Sequence, residues 1–152
     1  MSLEQHVMTA LKAAMLAKDE AGLRSLRAIK AALINLKTSE GFSGEVTEDD
    51  EVKLLQKLVK QRKESLEIYE KQHRSDLAEK EKEEIQIIEK FLPQQLSPEE
   101  LKHVIAGIVK ETGASSAADM GKVMGLANKQ LGGKADGKSI AAMVKEILAS
   151  KA

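Results

Sequence analysis

Residues 132 to 139 read GGKADGKS, which satisfies the spacing of a phosphate-binding loop: Gly132, four residues, then Gly137, Lys138 and Ser139. In such a loop backbone amides surround a phosphate, the lysine neutralises it and the hydroxyl meets magnesium. That chemistry requires a loop that leaves a buried strand and opens a helix. Here the preceding stretch, MGKVMGLANKQL, has helical spacing, and no second strand ending in an acid is available for the metal. A helix–turn–helix joint uses the same letters. Gly132 stands just past a helix end, where positive φ is wanted, Gly133 extends the turn and Asp136 caps the next helix.

The joint still has groups suited to phosphate. From Gly121 to Lys138 there are four lysines, Lys122, Lys129, Lys134 and Lys138, against one acid, Asp136. Lys122 and Lys129 are seven residues apart and share a helix face. Gly121 and Gly125 lie near that face and let another surface approach the backbone, and the start of the last helix presents free amides and a positive dipole end. The simpler reading of the same residues is a solvated lysine face, with the glycines serving interhelix packing.

Other chemistry finds little support. His6, His73 and His103 are far apart and show no metal-ligand spacing, so no metal or cofactor is expected. Ser115 and Ser116 resemble a serine pair, but capping accounts for Ser116 and no catalytic lysine context surrounds them. Glu81, Glu83 and Glu84 alternate with Lys80 and Lys82, the pattern of a solvated helix face. Arg62 sits at an apolar seam position. It is either a buried, paired charge or one that reaches solvent along its stem, and the second is the expectation.

The elements that would position these residues are all helical. Of the 152 residues, 42% are hydrophobic but only 2% aromatic, 32% are charged and two are proline, which suits long helices with an aliphatic core. Ser2 and Gln5 form a capping box ahead of a helix whose face carries Leu3, Val7, Leu11, Ala14 and Met15. Asp19 opens a second helix with Leu26, Ile29, Leu33 and Leu36 inward. SEGFSGEV breaks the pattern as an exposed, mobile loop. Thr47 followed by EDDE starts a long third helix, where Val52, Leu55, Val59, Arg62, Leu66 and Tyr69 form a seam for a partner helix. Pairs on its other face, such as Lys60 with Glu64 and Lys63 with Glu67, read as solvated. A fourth helix restarts near Ser75 and stops at Pro93.

PQQLSPEE is the clearest boundary, with Ser97 as cap, Pro98 at the first helical position and Glu100 completing the box. Beyond it three helices are expected: one with Leu101, Val104, Ile105 and Ile108 inward and closed by Gly113, one capped by Ser116 and Asp119, and one capped by Asp136. The fold class is all-α. Residues 1–93 form an N-terminal region of long packed helices, and a short linker joins it to a C-terminal three-helix bundle over residues 97–152.

Charge and targeting exclude some classes. Formal net charge is zero, so no global field favours nucleic acid or an anionic membrane. The balance is local: residues 1–92 carry 16 basic and 18 acidic side chains, net −2, and residues 93–152 carry 8 and 6, net +2. There is no cysteine, no basic-then-apolar leader at the start and no apolar run of membrane-spanning length, so a soluble, cytoplasmic chain without membrane contact is the expectation.

MGKVMGLANKQLGGKADGKSIAAMVKEIL closely resembles the C-terminal motif of the GatB/YqeY family, and IIEKFLPQQLSPEEL resembles the phrase joining the two parts of YqeY-like proteins. The similarity in length and order spans essentially the whole chain. The residues that carry over are Met120, Gly121, Val123, Met124 and Gly125, then Gly133, Lys134, Ala135, Asp136 and Gly137. In that family the module is the tail of the B subunit of the tRNA-dependent amidotransferase, a carbon–nitrogen ligase that converts misacylated glutamyl- or aspartyl-tRNA to its amide with glutamine as nitrogen donor. The tail is associated with tRNA recognition. The large kinase-like catalytic portion, with its magnesium and ammonia-handling residues, has no counterpart here, so the resemblance implies no catalysis by this chain alone.

The resulting expectation is a translation-associated, non-catalytic RNA-binding accessory module. Lys122, Lys129, Lys134 and Lys138 would meet phosphates, with Gly121, Gly125, Gly133 and Gly137 allowing close approach. With so few aromatics, base stacking is disfavoured and the target is structured RNA, tRNA above all. The alternative is a protein-interaction module docking a partner through the N-terminal seam or the small-residue face at Gly121 and Gly125. An independent enzyme ranks third.

Overall fold

The computed structural model describes residues 2–151, and among them every regular element is helical. The order is α1 (Leu3–Ala17), α2 (Glu20–Lys37), α3 (Glu48–Lys71), α4 (Ser75–Glu89), α5 (Pro98–Thr112), a single 3-10 turn (Ala117–Asp119), α6 (Met120–Leu131) and α7 (Gly137–Ser150). The chain divides into two compact units, residues 1–92 and 93–152. The all-helical class expected from composition is what the chain forms.

Local chemistry sets the helix starts. The hydroxyls of Ser2, Thr47 and Ser97 accept the amides of Gln5, Asp50 and Glu100, and Asp19 and Asp136 cap α2 and α7 with their carboxylates. Breaks come from left-handed residues: Lys18 (φ 54) closes α1, and His73 (φ 57) separates α3 from α4.

The first unit is two antiparallel hairpins, α1–α2 and α3–α4, with α2 packed on α4. Val7, Leu26, Ile29, Leu33, Leu55 and Ile88 make its buried centre. Ser25 is fully buried, its hydroxyl donating to the Ala21 carbonyl at 2.8 Å. The seam of α3 is filled from within the same unit, because α3 runs along α4. The sequence-based alternative, a partner docking through that seam, therefore loses its surface.

Three further expectations are corrected in this unit. Arg62 does not extend to solvent. Its side chain is 17% exposed and its Nε lies 3.7 Å from Glu84 Oε1, itself 15% exposed. The acids of α4 are not a solvated face either. Glu83 takes an ion pair from Arg24 on α2 at 3.1 Å, and Glu89 and Glu84 face Lys63 and Arg62 on α3. Met15, expected inward, is 58% exposed. A helix read alone shows which residues share its face and not how far the neighbouring helix reaches around it.

The second unit packs α5, α6 and α7 pairwise around Ile105, Val109, Val123, Ala127 and Val144, all fully buried. The residues before α5 belong to this unit's structure. Gln95 Nε2 donates to the Gly133 carbonyl at 2.6 Å, and the Leu96 amide donates to the Lys134 carbonyl at 2.9 Å. Residues 93–97 are thus strapped to the joint between α6 and α7.

Candidate functional site

The α6–α7 joint is built differently from a phosphate loop. No strand precedes it, and several of its amides are already used: Lys134 donates to the Leu131 carbonyl, Ser139 to Asp136 Oδ1 at 2.6 Å and Ile140 to the Asp136 carbonyl. Two carbonyls of the joint hold the 93–97 strap. The left-handed residue is Gly133 (φ 84) and not Gly132, whose φ is −52. Gly132 is constrained by space instead, since a Cβ there would stand 3.2 Å from the Asn128 carbonyl oxygen. Glycine is favoured at Gly133 by its positive φ and at Gly132 by the tight space beside the Asn128 carbonyl.

The start of α7 is a weaker anion site than its sequence suggests. Asp136 already places a carboxylate on the helix N-terminus, which leaves the amides of Gly137 and Lys138 as the ones without a helical partner. The expected capping of α6 does not form: Asp119 accepts no amide from that helix's first turn, and its carboxylate serves the preceding 3-10 turn instead. Asp119 Oδ2 accepts the amides of Ser115 and Ser116 at 3.0 and 3.3 Å, and this holds its carboxyl below the usual range.

The outward face of α6 is the clearest surface feature of this unit. Val123, Ala127 and Leu131 point to the core, which turns Gly121, Lys122, Gly125 and Lys129 to the opposite side, and all four are exposed. A Cβ at Gly121 or Gly125 would meet nothing within 4 Å. The glycines therefore do not serve interhelix packing, as the simpler reading supposed. Lys134 and Lys138 are exposed on either side of Asp136. None of the four lysines joins the ion pairs found among the described residues. The structure so gathers Lys122 and Lys129 with two open glycines on one helix face, and sets Lys134 and Lys138 at the joint.

Elsewhere, a cleft of about 690 Å³ lies under residues 42–46, lined among others by Ser2, Glu4, Glu51 and Phe42. Three of its polar groups have structural partners. Ser2 caps α1, Glu4 takes Lys37 Nζ at 2.6 Å and Glu51 accepts the Leu3 amide at 3.1 Å. His6, His73 and His103 are exposed, and no group of three or more His, Asp or Glu side chains suited to a metal occurs among the described residues. No described helix is long and apolar enough to cross a membrane.

Comparison with known proteins places the chain. A model of the family described as Yqey-like protein matches residues 4–148. "Altered inheritance of mitochondria protein 41, mitochondrial" of Clavispora lusitaniae is 37% identical over 109 residues, 70% of this chain and 62% of the relative. The protein of the same name in Lachancea thermotolerans is 38% identical over 84 residues, 55% of this chain and 44% of the relative. An uncharacterized protein of Schizosaccharomyces pombe is 39% identical over 70 residues, 45% of this chain and 57% of the relative. The chain thus spans less than two thirds of the length of each of these relatives, from 44% to 62%.

Two of these relatives are named as mitochondrial proteins, which overturns the cytoplasmic expectation. A folded helical chain of zero net charge carries no physical mark of its compartment, so composition had no hold on that question. With all but a few residues matched by the family model, the chain belongs to the YqeY-like protein family.

Proposed function

We propose that this chain is a non-catalytic RNA-binding accessory module whose C-terminal unit holds structured RNA, tRNA foremost, through Lys122 and Lys129 on α6 with Lys134 and Lys138 at the following joint. The observation that carries the reading is the outward face of α6. Its two glycines have open space where a side chain would stand, and its two lysines are exposed and join none of the ion pairs found among the described residues, Lys122 acting only through its charge on Asp119. Glycine in a helix costs up to about 1 kcal/mol relative to alanine, and the packing of this unit asks for neither Gly121 nor Gly125. A phosphate backbone laid on this face would reach the helix closely at the glycines, with a cation on either side.

Two further features support the reading. All three aromatic residues, Phe42, Tyr69 and Phe91, precede residue 93, so the C-terminal unit has no ring on which to stack a base. That favours recognition of a folded RNA by backbone and shape. The resemblance of residues 120–148 to the tail of the amidotransferase B subunit supports tRNA as the RNA class. The role proposed is holding RNA and not amide transfer.

The test is a gel shift with total tRNA. Changing Lys122, Lys129, Lys134 and Lys138 together to Ala should weaken binding by at least about tenfold, because each phosphate contact releases counterions, while the helical circular dichroism stays intact. Unchanged binding in the folded variant rules this face out.

A further inference from the structure

Four of the five exposed large hydrophobic residues among those described, Met8, Met15, Leu16 and Ile34, lie on the α1–α2 hairpin. The register of that hairpin is fixed at both ends. Lys37 pairs with Glu4 at 2.6 Å at the open end, and at the turn the Asp19 amide donates to the Ala14 carbonyl of α1 at 2.9 Å. Between these points Met8 lies beside Ile34, and the two line one cleft with Val7, Leu33 and Lys30. The spacing 4, 8, 11, 15 places Leu11 and Met15 on the same face of α1 as Met8, beyond the cleft itself. The spacing 37, 34, 30, 27 places Arg27 on the same face of α2 as Ile34 and Lys30.

The result is a groove with a methionine-rich wall on α1 and a basic wall on α2. Met8 is 39% exposed, Met15 58% and Ile34 51%, and Leu11 is half-buried. Arg27 and Lys30 are exposed and take part in no ion pair among the described residues. The one acid that lines the cleft, Glu4, is already held by Lys37. From Glu4 to Met15 the groove runs about 16 Å, three turns of helix. The cleft between Met8 and Ile34 measures about 80 Å³, room for one aliphatic side chain.

We propose that the α1–α2 groove docks an amphipathic helix of a partner protein, with apolar anchors at three- and four-residue spacing on Met8, Leu11 and Met15 and a flank of carboxylates on Arg27 and Lys30. Helices laid in grooves are read through such anchors, and methionine walls adapt to their shape. Charge selects the occupant. Residues 3–37 carry six basic side chains against three acidic, so a second copy of this hairpin would bring like charges together. An acidic helix meets both the cations and the apolar wall. This surface is independent of the lysines on α6 and α7.

The test uses two synthetic peptides of about 14 residues, identical in their leucine anchors and flanked on one side by glutamates or by lysines. The full chain carries ¹³C-methyl methionine and isoleucine. The glutamate peptide should shift the methyl signals of Met8, Met15 and Ile34 and leave Met120, Met124 and Met143 unmoved. The lysine peptide should bind about five- to tenfold more weakly, the effect of losing two exposed ion pairs. Arg27→Glu with Lys30→Glu should reverse that preference. The proposal is overturned by equal binding of the two peptides or by no shift at millimolar peptide. It is equally overturned if the same signals respond to dilution alone, which indicates self-association, or to anionic vesicles and not to the peptide, which indicates a lipid surface.

Discussion

Arg62 and Glu84 face each other across the α3–α4 hairpin, Nε to Oε1 at 3.7 Å, with side chains only 17% and 15% exposed. Arg62 Nη1 donates to the Leu58 carbonyl at 3.1 Å, while its Nε is buried without a hydrogen-bond partner. A buried pair of this kind contributes little net stability, yet removing one partner strands the other. Glu84→Ala should therefore destabilise the protein by about 1–3 kcal/mol, a figure reduced for the remaining exposure. The double change Arg62→Met with Glu84→Leu should recover most of that loss. Urea denaturation of the three variants checks this. A double variant as unstable as Glu84→Ala contradicts it.

Glu81 gives the opposite electrostatic signature. Burial pushes its carboxyl above the usual range, the Glu84 charge adds to this and Arg62 opposes it. The folded state then binds this proton more tightly than the unfolded chain does. Its contribution is most favourable below the unfolded pKa and declines as pH rises through the raised folded value. Glu81→Gln should make the protein more stable at neutral pH and flatten the stability profile just above the usual carboxylate range. Loss of stability at pH 7 in this variant is the contrary outcome.

On the acid side the sign reverses. Hydrogen bonds from Arg74 lower the Asp76 carboxyl from its ordinary 3.8 to about 2. The amides of Ser115 and Ser116 lower Asp119 in the same direction. Both contribute stability that is present above the unfolded pKa and is lost as pH falls through the folded value. Asp76→Asn should be less stable than the parent at pH 5 and should lose part of the acid-induced decline between about pH 4 and 2. Urea melts at pH 7, 5 and 3 measure it. An unchanged acid slope speaks against the Arg74 contact.

The glycines of the C-terminal unit separate into two kinds. Gly125 lies inside α6 with open space around it, so Gly125→Ala should stabilise the unit by about 0.5–1 kcal/mol. Gly133 is buried at φ 84, so Gly133→Ala should destabilise by about 1 kcal/mol or more. Thermal melts of the two variants should move in opposite directions. If the face of α6 receives a phosphate backbone, the stabilised Gly125→Ala protein should also bind tRNA less well.

Much of this architecture was legible in the residues. Ser2, Thr47, Ser97 and Asp136 announced helix starts that the structure forms, because a cap is a local contact between residues three apart. What escaped depends on neighbours distant in sequence. Glu83 and Glu84 looked solvated because their partners, Arg24 and Arg62, are on other helices. The 93–97 segment looked like a bare linker because its acceptors, Gly133 and Lys134, lie nearly forty residues on. The lysines of the candidate site were readable by spacing, and the openness of Gly121 and Gly125 was not, since it depends on what fails to pack there. The groove beside Met8 went unread because Met15 fitted an inward helical face equally well by spacing.

The most direct measurement is the salt dependence of tRNA binding by the intact protein and by the variant lacking Lys122, Lys129, Lys134 and Lys138. If these lysines meet phosphates, the slope of log K against log salt should be about −3 to −4 for the parent and close to zero for the variant. Equal slopes for both proteins, or no complex with the parent even at low salt, would contradict RNA binding at this face.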